Sequence, residues 1–149
     1  MAHAIDLAVA SARSGGGPFA ALVVKDGEII GSGANRVTAG LDPTAHAEIV
    51  AIREACGRLH DFRLTGCDLY ATCEPCPMCL GAIYWARIGR VFFAASHQDA
   101  AAAGFDDALI YHDLAKPLKE RRIPMVPLLV EQGQRAFDAW RSNPQKQAY

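Results

Sequence analysis

Two short clusters carry the residues able to do chemistry, His46-Ala47-Glu48 and Cys73-Glu74-Pro75-Cys76-Pro77-Met78-Cys79. Thiolate sulfur and imidazole nitrogen are ligands that zinc prefers. Two cysteines and one histidine leave a fourth tetrahedral position for water, which marks a catalytic rather than a structural site. His46, Cys76 and Cys79 are therefore the candidate ligands of one zinc ion per chain. Cys76 and Cys79 are three residues apart, so at the start of a helix their sulfurs share one face. The helix N-terminus also favours the two thiolates. Glu48 is the candidate general acid–base, able to take a proton from a metal-activated water and pass it on. Alone, a Cys-x-x-Cys pair fits a structural zinc or a redox pair equally well. Cys73 is near enough in sequence to close the site as a fourth protein ligand.

The elements around these residues must bring them together. Residues 4–13 show the apolar spacing of an amphipathic helix, ended by Gly15-Gly16-Gly17-Pro18. Phe19–Val24 and Ile29–Gly33 read as strands joined through Asp26-Gly27, a pair that tolerates positive φ and signals a hairpin. From Thr44, a candidate N-cap, apolar residues recur at helical steps through Leu59. On a helix, residues two apart diverge by roughly 200°, so His46 and Glu48 converge only where both reach over a helix end. Cys67–Thr72 alternates like a strand, and a helix over about 76–87 follows, with prolines tolerated in its first turn. Val91–Ala95 reads as a buried strand. A short helix near 98–103, a loop at Asp106-Asp107, a strand near Met125–Val130 and a helix near 131–141 complete the chain. Alternating strands and helices predict an α/β fold in three layers, α/β/α, with a central mixed sheet covered on both faces.

At 149 residues, with 51% hydrophobic and 21% charged residues, the chain has the length and balance of one globular domain. Its net charge of −1 lacks the basic excess of a nonspecific nucleic-acid binder. The basic run Lys116–Arg122, broken by Glu120, reads as a solvated helix face. No stretch approaches the roughly 18 apolar residues of a spanning helix, and the N-terminus lacks the pattern of a signal peptide. The expectation is a cytoplasmic protein with reduced thiols and no membrane partner. Cys56, on an apolar helix face, and Cys67, at a strand start, read as buried structural thiols. His3, His60, His97 and His112 have no ligand-like spacing. Gly15-Gly16-Gly17 lacks the Lys-Ser/Thr and helix of a phosphate loop.

The sequence resembles the zinc-dependent cytidine deaminase superfamily and, within it, the bacterial guanine deaminases. The resemblance runs through Gly17-Pro18-Phe19, Asn35-Arg36-Val37, Asp42–Glu48 and Cys73–Ala86. It continues in Ala103–Asp107, Ile110-Tyr111, Phe137–Arg141 and the final Tyr149. The zinc motif is specific for the superfamily, and the later segments carry the narrower likeness. The resemblance implies hydrolysis of guanine to xanthine and ammonia, with water attacking C2 at the zinc and Glu48 moving the protons. It assigns Asp107 a second proton-carrying role. A carboxylate there is also an acceptor suited to the N1–H and amino edge of guanine. Asn35 is implied to hydrogen-bond the purine edge and backbone N–H groups around Ala47 and Cys76 to help hold the base. Phe19, Trp85 and Phe105 are implied as apolar or stacking walls. The resemblance further implies a homodimer whose C-terminal segments exchange, Tyr149 closing the neighbouring site. The competing expectations are a deaminase of guanosine, cytosine or tRNA adenosine, and a zinc-binding module without catalysis.

Overall fold

Asp26 and Gly27, with φ of 49° and 84°, turn the chain between β1 (Ala20–Lys25) and β2 (Glu28–Ala34), as their tolerance of positive φ predicts. The computed structural model describes residues 1–148; Tyr149 lies outside the described residues. Within them the chain forms two compact units, the first ending at Ala108 and the second beginning at Leu109.

The first unit is built on a four-stranded mixed sheet in the order β2-β1-β3-β4, with β3 at Cys67–Cys73 and β4 at Arg90–Ala95. β1 runs antiparallel to β2 and to β3, whereas β3 and β4 are parallel and joined by α4 (Pro77–Trp85). Helix α1 (Ala2–Arg13) packs on β1 and β3 through the buried Ala4 and Ala8. Helix α3 (Ala47–Leu59) lies on β2 and β1, preceded by the single turn α2 (Val37–Gly40). Strand alternation divides the core. Ala21, Val23, Leu69 and Ala71 join Ala47, Ala51 and Ala55 of α3 and Ile83 of α4 in one cluster. The intervening Ala20 and Leu22 are also buried, on the opposite face of β1. Full burial of a side chain such as Leu69 or Val23 stabilises the fold by about 1.5–3 kcal/mol.

The depth at which α3 sits is set by glycine. A Cβ on Gly33 would collide with the Ala47 carbonyl and the Ala51 amide, and one on Gly31 with the Ala51 carbonyl and Ala55. Two glycines under an alanine stripe let the helix backbone rest on the strand. That seating fixes where the N-terminus of α3 ends up.

Four expectations are corrected here. Thr44 does not cap α3. It sits in a turn where Asp42 Oδ1 accepts its N–H at 2.8 Å and its hydroxyl at 2.7 Å, and His46 is the N-cap residue. β4 is not buried: among the described residues it is a sheet edge paired with β3, and Phe92 and Phe93 are exposed. Residues 124–128 form no strand among the described residues. Pro124 and Pro127 remove backbone donors that a ladder needs. Cys67 is fully buried as expected, but Cys56 is only partly so, its Sγ lying 3.7 Å from the Phe62 carbonyl.

After α5 (His97–Ala102) come α6 (Ala108–Leu114), which the sequence pattern did not predict, a 3-10 turn at Leu118–Glu120, and α7 (Val130–Ser142). The Lys116–Arg122 run is not the face of an α-helix but a loop around that 3-10 turn. Lys116 pairs with Asp113 at 3.3 Å, and the Arg121 guanidinium donates to the Leu114 and Lys116 carbonyls, both at 3.3 Å. None of the described residues of α6 or α7 is buried. Among the described residues no helix is long and apolar enough to cross a membrane.

Candidate active site and metal centre

His46 and Cys76 occupy equivalent places. Each is the extended N-cap residue of a helix, with φ, ψ of −65°, 155° before α3 and −63°, 168° before α4. Neither side chain caps its own helix, so both are directed elsewhere, and the two helix N-termini contribute a positive field between them. Because His46 precedes the helix, its side chain is not bound to the helical spacing that would separate it from Glu48. That resolves the convergence the sequence demanded.

His46 Nδ1 lies 3.5 Å from Cys76 Sγ and 3.6 Å from Cys79 Sγ. One tetrahedral zinc, with Zn–S of about 2.3 Å and Zn–N of about 2.0–2.1 Å, holds a sulfur and a nitrogen about 3.6 Å apart. The ligand atoms of the three residues all fall within 4.8 Å of one another, and among the described residues they form the group able to hold a metal. The donor set and its spacing fit zinc. Cys73 is not part of it; its Sγ donates to the Ser96 carbonyl at 3.5 Å, and burial raises its thiol pKa. The group able to hold the metal therefore offers three protein ligands, the number found in catalytic zinc sites.

Electrostatics at the centre suit a dication. Cys76 is held down to about 4 by the Cys79 thiol and, more weakly, by His46. Cys79 is pushed up by Cys76, by burial and by Glu48. One proton is thus shared between two sulfurs, and a metal bound by both takes its place. His46 is raised, first by its contact with Cys76.

Glu48 is the one buried charged side chain among the described residues, 8% exposed, with Oε2 3.4 Å from Cys79 Sγ. Burial raises its pKa above the ordinary value. A carboxylate made reluctant to ionise, beside residues able to hold a metal, is well placed to accept and release protons.

These groups open into a cavity of about 550 Å3 lined by His46, Glu48 and Cys76 together with Phe19, Asn35, Phe105 and Asp107. The size suits a small molecule. Phe19 and Phe105 meet edge to face, centroids 4.9 Å apart at 85°, giving one apolar wall. Asn35 Oδ1 accepts the Val37 N–H at 3.2 Å, which orients the amide so that its NH2 group is the donor offered to the cavity. The Asp107 carboxyl pKa is raised, mainly by burial and then by the charge on Cys76.

Two of the expected residues stand apart. The Ala47 side chain is in the core; what remains for the site is its backbone N–H, in a first helical turn where such groups have no intrahelical partner. Trp85 is 62% exposed and does not line the cavity. It ends the nine-residue α4, and a helix of that length carries its last residue about 13 Å from the metal-binding end.

The structure also brings in residues the sequence did not single out. His97 lines the cavity, its Nδ1 2.8 Å from Glu74 Oε2. The Gly15–Gly17 turn lines it too. Their signal was only adjacency to motif residues, which spacing alone cannot convert into a site.

Residues 1–95 match the family model of the cytidine and deoxycytidylate deaminase zinc-binding region. The chain is 53% identical over 148 residues to guanine deaminase from Bacillus subtilis, covering 99% of this chain and 95% of that protein. The X-ray structure of the Bacillus subtilis guanine deaminase superposes with a TM-score of 0.96. A guanine deaminase from Nitrosomonas europaea is 32% identical, with a TM-score of 0.68 over 91% of this chain and 69% of that one. A tRNA-specific adenosine deaminase from Aquifex aeolicus is 53% identical over only 52% of each chain. The family match covers the strands, both ligand helices and every metal-binding residue, and the geometry of those residues agrees with it: the chain belongs to the zinc-binding cytidine and deoxycytidylate deaminase family.

Proposed function

We infer that this chain is a zinc-dependent hydrolase that deaminates guanine, yielding xanthine and ammonia in purine metabolism. The observation that carries the reading is one cavity lined by His46 and Cys76 of the His46–Cys76–Cys79 cluster, by the buried Glu48, and by Asn35 and Asp107 beside the Phe19–Phe105 wall. Likeness to guanine deaminase over 99% of the chain supplies the substrate class.

Zinc on His46, Cys76 and Cys79 supplies the Lewis acidity that makes water nucleophilic near neutral pH. Glu48 takes the proton that water sheds as its oxygen bonds to C2 of the base. It delivers that proton to ring N3 and then carries the remaining hydroxyl proton to the amino group as the C2–N bond breaks, so the nitrogen leaves as ammonia and the oxygen stays as the C2 carbonyl. Asp107 accepts from the N1–H and amino edge and serves the departing nitrogen. Asn35 donates to an acceptor on the purine edge, and the phenyl rings hold the flat base and exclude water.

Two observations weigh against the alternatives. The basic side chains of Lys116 and Arg121 are engaged within their own segment, which leaves a weak footprint for tRNA phosphates. A non-catalytic module has no use for Glu48, whose burial costs stability. Among guanine, guanosine, cytosine and adenine, guanine gives the fastest ammonia release; faster turnover of cytosine or guanosine would overturn the substrate while keeping the metal chemistry.

The reading includes a cytoplasmic homodimer with exchanged C-terminal segments. Support comes from each unit separately. In the second, Ile123, Val126, Leu128, Phe137 and Trp140 are exposed; in the first, Phe92, Phe93, Tyr84 and Trp85 are. Apolar surface of this extent belongs in an interface, and a second copy is the partner. Deleting Ala148 and Tyr149 leaves zinc content and dimerisation intact and sharply lowers guanine turnover. A fully active truncated protein, or a fully active monomer at micromolar concentration by light scattering, contradicts the exchange.

A further inference from the structure

The Glu74–His97 pair is unusual in what it connects. Glu74 lies between the end of β3 and the ligand Cys76, and His97 opens α5, which leads into Phe105 and Asp107. One oxygen, Glu74 Oε2, accepts the His97 backbone N–H at 3.1 Å and faces ring Nδ1 at 2.8 Å. The Glu74 N–H donates to the Ala95 carbonyl at 2.8 Å. Next to it Ser96 and Asp99 form a reciprocal capping box, Ser96 N–H donating to Asp99 Oδ2 at 2.8 Å. The start of α5 is thereby tied to the ligand-bearing turn. Beyond its other end the Phe105 N–H donates to the Ala100 carbonyl at 2.9 Å and its ring rests on Phe19. Asp107 feels charge from both sides, Cys76 raising its pKa and His97 lowering it. Glu74, His97 and Asp107 all line the cavity.

We propose that Glu74 and His97 are positioning residues, whose pairing locks α5 to the metal-ligand turn and so sets where Asp107 meets the amino edge of the base. The proposal rests on the deaminase reading. A merely structural pair of this partly exposed kind contributes little, and its loss leaves turnover alone. A positioning pair acts through Asp107, and misplacing a reacting group by about 1 Å costs on the order of 100-fold.

The test is a set of variants in the zinc-loaded protein, each read for zinc content, thermal midpoint, and kcat and KM with guanine. His97→Ala lowers kcat roughly ten- to hundredfold, with zinc retained and KM changed less. His97→Asn, whose amide N–H can still reach Glu74, recovers most of the loss. In an Asp107→Ala background His97→Ala has little further effect, because effects routed through one group do not add. Wild-type turnover in His97→Ala, no rescue by asparagine, or full additivity with Asp107→Ala overturns the proposal. A wild-type protein that releases no ammonia from guanine overturns the deaminase reading and, with it, this role.

Discussion

Glu48→Ala is expected to retain about one zinc per chain and lose deaminase activity at the upper end of the 10²–10⁴-fold range, or beyond it, that removal of a general acid–base commonly costs. The reason is a division of labour visible in the geometry. His46, Cys76 and Cys79 are the residues able to hold the metal, and Glu48 meets this group at the sulfur of Cys79. Its carboxylate has more than one proton to move in a single turnover, and among the described residues no other carboxylate is as deeply buried. Stability should not fall with activity. Folding raises the Glu48 pKa through burial, so the native state binds its proton more tightly than the unfolded chain does. A group of that kind makes stability fall as pH rises from its unfolded value through its folded one. Removing it relieves that cost at neutral pH. Metal analysis, a melting curve and ammonia release on the same preparation check all three statements; near-normal turnover would show that the proton carrier is another group.

Cys76→Ala produces the opposite pattern, in which activity is lost because the metal is lost. Its thiol is held down to about 4, so Cys76 is ionised at neutral pH and is the sulfur already prepared for a cation. Cys76 and burial push the Cys79 thiol up, so a proton leaves the pair when both sulfurs bind a metal. Without Cys76 the site offers one histidine and one cysteine, too few for a tetrahedral zinc to stay. Zinc content well below one per chain, with turnover not restored by added zinc, is the expected result. The sheet and helices should persist, because the core of Ala21, Val23, Leu69, Ala51 and Ile83 is independent of the centre. Far-UV circular dichroism close to wild type checks this. A Cys76→Ala protein that keeps its zinc would mean that the ligand set is wrong, with Cys73 the residue to examine next.

Residue type and local spacing determined much of this protein before any tertiary contact was considered. The Asp26-Gly27 turn, the helices at both ends and the hairpin depend on φ preferences and hydrophobic period, which are local properties. The ligand set was legible because zinc chemistry restricts the donors to Cys and His. Glu48 stood out as a candidate because its carboxylate lies two residues from a candidate ligand, and the structure buries it beside Cys79. Three things were not legible in residue type, the first because of a local turn and the other two because of long-range packing. Thr44 carries the residue type of a cap, yet Asp42 takes its hydroxyl and leaves His46 as the N-cap residue, the conformation that lets His46 and Glu48 converge. Val91–Ala95 has the composition of a buried strand, but burial depends on neighbours, and among the described residues β4 is an edge strand paired with β3. His97 had no ligand-like spacing, and only the parallel pairing of β3 with β4, which sets Cys73 opposite Ala95, brings it to Glu74 and into the cavity. The sequence alone determined which atoms could hold a metal and move a proton, because those are properties of side chains. The tertiary structure decided which of them share one cavity, because that depends on strand order, on the glycines under α3 and on two helix ends meeting.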